Sequence, residues 1–305
     1  MKIAHRLSLL GALAVTTLSV ATWAAPMQWS DLTSRPRPEP TTRLPYGKGP
    51  LQFAELWLPA GQGPFPVVLM VHGGCWRTDV ADLSLMNWAA EDLRNRGIAV
   101  WNIEYRGIDR PGGGYPGTYQ DVGAATDLLR QLAPLFRLKA DHVVIVGHSA
   151  GAHLGLWIAG RSGIPANSPL HANRPLPIAS VIGLGSVPDL EAEQNMPDRP
   201  CDLSASAKVM SGPKTPTRTD RFRDTSPPAM GRFPAKQILV STSEDRISPP
   251  SISAAYSRKV ALNGLKPTLV TVPGEGHVEL IAPGSEAWNE TVTLIERELG
   301  VAKPK

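Results

Sequence analysis

Apolar residues along this chain come in two alternating rhythms. Short runs that are apolar at nearly every position read as strands buried on both faces: FPVVLMVHG (65–73), IAVWNIEYR (98–106), HVVIVGHS (142–149), IASVIGLGSV (178–187) and KQILVSTSE (236–244). LQFAELWLP (51–59) and KPTLVTVPG (266–274) read as strands as well. Between these runs, residues 82–97, 118–136, 150–161, 250–264 and 285–300 place apolar side chains at helical spacing, and the first, fourth and fifth of them close on glycine. Through-apolar strands separated by helices predict an α/β fold with a mainly parallel sheet covered on both faces. One segment, 190–233, breaks the alternation. It is too long for a plain connection and is expected to cap or border a site.

The first residues do not belong to this alternation. MKIAHR carries Lys2 and Arg6, an apolar run follows, and TWAAP offers small residues for cleavage. That order is the layout of a secretory signal peptide cut after Ala24. The competing reading, a membrane anchor, suits the run less well because it is short for a span. The expected organisation is therefore a signal peptide at 1–24, an N-terminal extension at 25–49 and one domain at 50–300, in a protein exported to the periplasm or the medium. No stable membrane insertion is expected.

Charge narrows the partners. The leader holds two of the 31 basic residues, so the rest is close to balance against 27 acidic ones. No basic run with interleaved aromatics points to nucleic acid. No phosphate-cradling glycine loop and no cysteine cluster at zinc spacing is present, and no metal or organic cofactor is expected. Oligomeric state is left open. Cys75 and Cys201 are the two cysteines. An exported chain with one such pair can oxidise it, tying the 190–233 segment to the loop at Cys75; the other reading is two unrelated small side chains.

Chemistry is concentrated at GHSAG (147–151), a G-x-S-x-G between a buried strand and a helix. Flanking glycines allow the backbone to turn sharply and lift Ser149 clear of the sheet. The helix beginning at Ala150 turns its unpaired N–H groups and positive end toward the hydroxyl. A serine hydroxyl needs a base. Among the histidines, His277 stands apart, in a glycine-loosened loop just past the last strand, where a parallel sheet delivers its functional groups. Asp245 is the carboxylate favoured to orient it, with Glu244 and Asp189 as rivals, each of which could equally be a loop acid or helix cap. VLMVHGGCWR (68–77) supplies backbone N–H donors: Gly74 and Cys75, with Ala150, form an expected oxyanion hole. Gly73, Trp76 and His148 are expected beside the substrate. Glu104, Tyr105 and Arg106 read as a buried polar set steadying nearby loops, and Asp121 as a helix anchor.

HGGCWR, NIEYRGIDRPGGGYPGTYQDV, GHSAG, SEDRISPP and GEGHVEL together resemble the α/β-hydrolase superfamily. Within it they resemble the hormone-sensitive-lipase-like esterases and the kynurenine-formamidase and feruloyl-acetylxylan-esterase-like branch. The resemblance covers about 50–297. It implies an eight-stranded, mostly parallel sheet, Ser149 as nucleophile with Asp245 and His277 as partners, and oxyanion donors at 74, 75 and 150. Where the lipase-like group has a third glycine, this chain has Cys75, a bulkier residue beside the acyl site. The expected activity is hydrolysis of a small-molecule carboxylic ester through an acyl-enzyme. An amidase or aryl-formamidase, a prolyl peptidase, or a non-catalytic binding protein on the same scaffold are the alternatives.

Overall fold

The computed structural model describes residues 25–197, 199–231 and 233–301; the signal peptide read at 1–24 lies outside them. In chain order the elements are α1 (Trp29–Thr33), β1 (Thr42–Pro45), β2 (Phe53–Trp57), β3 (Phe65–Val71), α2 (Asn87–Asn95), β4 (Ala99–Ile103), α3 (Gly117–Leu132), β5 (Leu138–His148) and α4 (Ala150–Gly160). They continue as β6 (Ile178–Leu184), α5 (Leu190–Glu193), α6 (Leu203–Ser211), β7 (Lys236–Thr242), α7 (Pro250–Ala261), β8 (Thr268–Val272) and α8 (Glu286–Leu299).

All eight strands join one sheet in the order β1-β2-β4-β3-β5-β6-β7-β8. The pairs from β4 to β8 are parallel, and β1 and β2 add an antiparallel edge. The α/β fold with a mostly parallel eight-stranded sheet is therefore the fold of the protein. Its central strands are apolar throughout because both faces are covered. Along β3, Val67, Leu69 and Val71 face one hydrophobic layer and Val68 and Met70 the other. Along β5, Val143 and Ile145 face the first and Val144 and Val146 the second, the period of two that a pleated strand imposes.

The first layer holds α3, α4 and α7, with Tyr119, Leu129, Leu154, Trp157 and Tyr256 buried against the sheet. The second holds α2 and α8, through Leu93, Trp288 and Ile295. Every residue of α4 is buried, because the 190–233 segment covers its outer side: Trp157 Nε1 donates to Asp224 O (2.8 Å), and a ring nitrogen of His153 donates to Thr225 O (2.9 Å). Among its described residues that segment is α-helical only at α5 and α6, with single 3₁₀ turns at Pro200–Asp202 and Pro227–Ala229.

The sheet's first strand comes from the segment read as an extension. Thr42–Pro45 pairs with β2 at the sheet edge. Four residues ending in proline fit an edge, where a missing N–H goes unnoticed, and carry little strand signal in sequence. The rest of the segment is docked too. Leu32 is fully buried, and Trp88 Nε1 donates to Pro36 O at 3.1 Å.

Candidate active site

Parallel strands that all end on one side gather their following loops there, and four such loops build the site. The first follows β5. Ser149 sits between β5 and α4 at φ 54° and ψ −119°, a conformation that costs a residue with a Cβ on the order of 1–3 kcal/mol. The flanking glycines explain how it is accommodated. A Cβ at Gly151 would lie 2.2 Å from Val71 O, and one at Gly147 would lie 2.3 Å from Gly151 O. No side chain fits at either position while α4 starts directly over the end of β3. The Ser149 N–H donates to Leu184 O at 2.7 Å, fixing the turn to β6.

The second loop follows β3. Gly74, Cys75 and Trp76 are all left-handed, at φ 101°, 58° and 56°. Among the described residues no acceptor faces the N–H of Gly74, Cys75 or Ala150. The Ala150 N–H lies in the first turn of α4, where no carbonyl within the helix can reach it. Three free donors at a helix start and a strained loop suit an oxygen that acquires negative charge. The loop is tied down on both sides. Trp76 is fully buried and its Nε1 donates to His153 Nδ1 (3.2 Å), while Cys75 is disulfide-bonded to Cys201 beside α6. Burial holds His153 neutral, its pKa lowered to about 4.

Beneath this loop lies the polar set of Glu104, Tyr105 and Arg106. His72 Nε2 meets Glu104 Oε1 at 2.9 Å, and Tyr105 Oη donates to His72 O at 3.0 Å. Arg106 grips the Asp121 carboxylate with two N–H groups at 2.7 and 2.8 Å, so Asp121 anchors α3 as expected. None of these groups lines the cavity at Ser149.

The third and fourth loops follow β7 and β8. Asp245 is buried, and its Oδ1 accepts from the N–H groups of Ile247 and Ser248, both at 2.8 Å. Its Oδ2 accepts from His277 Nδ1 at 2.6 Å. Burial alone would raise the Asp245 pKa. The His277 hydrogen bond and charge, with the two backbone donors, outweigh it and hold the group below the ordinary carboxylate range. The rivals are occupied elsewhere. Glu244 is exposed and accepts from Ser243 Oγ. Asp189 caps α5 and pairs with Lys259 Nζ at 2.8 Å.

Ser149 and His277 open onto one cavity of about 220 Å³, whose wall also includes Gly74, Cys75, His148 and Ile247. No hydrogen bond joins the Ser149 hydroxyl to His277; such contacts are often loose in unliganded sites and tighten with substrate. His148 packs its ring 4.5 Å from that of His277, centroid to centroid, and its Nε2 donates to His277 O at 3.2 Å. Burial first, then the neighbouring His277, drives the His148 pKa well below the ordinary value, so it serves as a neutral strut. Gly73 and Trp76, expected beside substrate, do not line this cavity. Gly73 instead permits a close approach: a Cβ there would lie 2.8 Å from His148 Nδ1 and 3.0 Å from Ser149 Cβ.

Sequence reasoning did not find the N-terminal contribution. Trp29 and Thr33 form part of the cavity wall, and Trp29 meets the rings of both His148 and His277 edge-on, at 6.1 and 6.2 Å between centroids. A five-residue helix amid prolines carries no local signal of a partner more than 200 residues away.

The BD-FAE family model matches residues 55–259, two thirds of the chain, from within β2 to within α7. The chain belongs to the BD-FAE family. That is an esterase family of the α/β-hydrolase superfamily. No curated protein matches the sequence. Among solved structures, this BD-FAE chain is similar to Thermogutta terrifontis esterase 2 phosphonylated by sarin, with 18% identity, a TM-score of 0.70, and 90% of this chain and 99% of that one covered. It is also similar to esterase B from Lactobacillus rhamnosis, with 20% identity, a TM-score of 0.69 and 85% of each chain covered. A bifunctional GH43-CE protein of Bacteroides eggerthii matches at 20% identity and a TM-score of 0.66, over 85% of this chain. This chain spans 35% of that longer protein. At these identities the likeness is one of fold.

Proposed function

We propose that the protein is an exported serine hydrolase that cleaves carboxylic esters, with Ser149 as nucleophile, His277 as base and Asp245 as its orienting carboxylate. The observation that carries this reading is the 2.6 Å hydrogen bond from His277 Nδ1 to Asp245, made in the wall of the cavity that holds Ser149 on its strained turn. With Nδ1 donating to Asp245, Nε2 is the nitrogen left to take a proton. His277 Nε2 removes the Ser149 hydroxyl proton as Oγ attacks the ester carbonyl. The carbonyl oxygen becomes an oxyanion, stabilised by the free N–H groups of Gly74, Cys75 and Ala150. Collapse breaks the bond to the alcohol oxygen, which leaves with the proton from His277. Water then repeats the sequence on the acyl-enzyme, releasing the acid and restoring Ser149. Asp245 stays ionised throughout, in keeping with its lowered pKa.

Export is supported by the leader pattern and by the Cys75–Cys201 bond, since disulfides persist in oxidising compartments. Among the described residues no helix is long and apolar enough to cross a membrane. Turnover of p-nitrophenyl acetate, N-formylkynurenine and a prolyl anilide tests the reading. The ester is expected to be cleaved fastest, and absence of ester cleavage refutes it.

A further inference from the structure

The N-terminal segment does more than cover the sheet edge. Two cavities meet at Trp29, Ile247 and His277. The first, of about 220 Å³, reaches Ser149 and the Gly74–Cys75 loop and is otherwise lined by small or apolar groups such as Val80, Ala81 and Leu85. The second, of about 430 Å³, is lined by the same three residues and carries hydrogen-bonding groups: Gln28, Glu244 and Arg246. Trp29 walls both.

Its placement is built, not incidental. The Met27 N–H donates to the Glu279 carboxylate, Leu32 is fully buried, and Arg35 Nη1 donates to Pro283 O at 3.1 Å. Gln28 and Asp31 cap the start of α1 reciprocally. These contacts hold a large aromatic ring that is itself 38% exposed over the two histidines.

We infer that Trp29 is a specificity-determining residue: it partitions the site into an acyl pocket and a leaving-group cleft, and it sets the upper limit on acyl length. This rests on the esterase reading. The assignment of sides follows from the chemistry. His277, which returns its proton to the leaving oxygen, lines both cavities, whereas Ser149 lines only the first, so the alcohol is assigned to the second. The acyl carbon is bonded to Ser149 in the intermediate, so the acyl chain occupies the cavity that contains Ser149. At about 220 Å³ that cavity falls below the range that holds drug-sized ligands, roughly 300–1,000 Å³, so it takes short chains.

The test compares wild type, Trp29→Ala and Trp29→Phe in two ways. In the first, kcat/KM is measured for p-nitrophenyl acetate, butyrate and octanoate. One methylene in a tight pocket is worth about 10- to 200-fold. Trp29→Ala is therefore expected to raise the octanoate-to-acetate ratio at least about 10-fold, with Trp29→Phe close to wild type. In the second, calorimetry measures binding of acetate and octanoate anions to the same proteins, which needs no turnover. Tighter octanoate binding by Trp29→Ala alone supports the partition. An unchanged ratio together with unchanged octanoate binding overturns it while leaving the esterase reading intact. No ester turnover by any of the three proteins overturns the esterase reading and the assignment of acyl and alcohol sides with it, while an octanoate difference still shows that Trp29 limits the chain length the first cavity holds.

Discussion

Gly185 offers a sharp perturbation of the proposed base. It directly follows β6 at φ 52°, and its N–H donates to Val240 O at 2.9 Å. A Cβ added there would lie 2.7 Å from His277 Cε1 and 2.8 Å from Nδ1, the atom that donates to Asp245. Leu280 Cδ1, at 2.9 Å, closes the other side. Carbon atoms do not rest at such distances, so in Gly185→Ala the imidazole must back away and its bond to Asp245 must stretch or turn. Misplacement of a reacting group by an ångström costs about 10²-fold in rate, so kcat on p-nitrophenyl acetate is expected to fall by about that factor. Ala at a left-handed position also costs roughly 1–2 kcal/mol of stability wherever it is placed. Gly264→Ala separates the two effects, because Gly264 has φ 76° and open space around its Cβ direction. Thermal denaturation is expected to show the backbone cost in both variants and a further loss in Gly185→Ala from crowding of His277 and Leu280, with kcat falling only in Gly185→Ala. Equal kcat in the two variants would refute the placement of His277 as the catalytic base.

Three further predictions follow from the same structure. Asp245→Asn keeps the shape of the site but removes the acceptor that selects the His277 tautomer, so kcat is expected to fall about 10⁴-fold with the fold intact by circular dichroism. Cys201→Ser opens a cross-link spanning 126 residues; loop-closure entropy puts its stabilisation near 5 kcal/mol as an upper figure, so a large drop in Tm is expected, with dithiothreitol giving the same drop in the wild type. His153 has its folded pKa lowered to about 4 from an ordinary value of 6.5, so the unfolded chain binds the extra proton between those values. Stability is therefore lost as pH falls from about 6.5 to 4, by about 3 kcal/mol for this group. A urea-unfolding series over that range should show the loss, and His153→Gln, which keeps one donor and one acceptor, should shrink it.

Much of the fold was legible because the buried strands announce themselves. Runs such as VVLMV and VVIV are apolar on both faces only if helices cover both, and the helical stretches between them supply the cover. Ser149 was legible for a steric reason: only glycine fits at positions 147 and 151, so the motif is a record of the turn. Other features were invisible for equally physical reasons. β5 starts at Leu138, four residues before the apolar run, because Lys139–Asp141 sit where the pairing register shifts and solvent reaches the side chains. The preference for Asp245 over Glu244 could not be settled by pattern, since adjacent loop residues diverge in direction and only the N–H groups of Ile247 and Ser248 decide which is held inward. Trp29 was hidden because its value lies entirely in long-range contacts with His148 and His277.

The central claim, that Ser149 is a nucleophile activated by His277, is tested most directly by intact-mass and peptide-mapping measurement after treatment with a fluorophosphonate. The account predicts a single adduct on Ser149, absent in Ser149→Ala and formed far more slowly in His277→Ala. A folded wild-type protein that takes up no adduct, or takes it up on another residue, would contradict it.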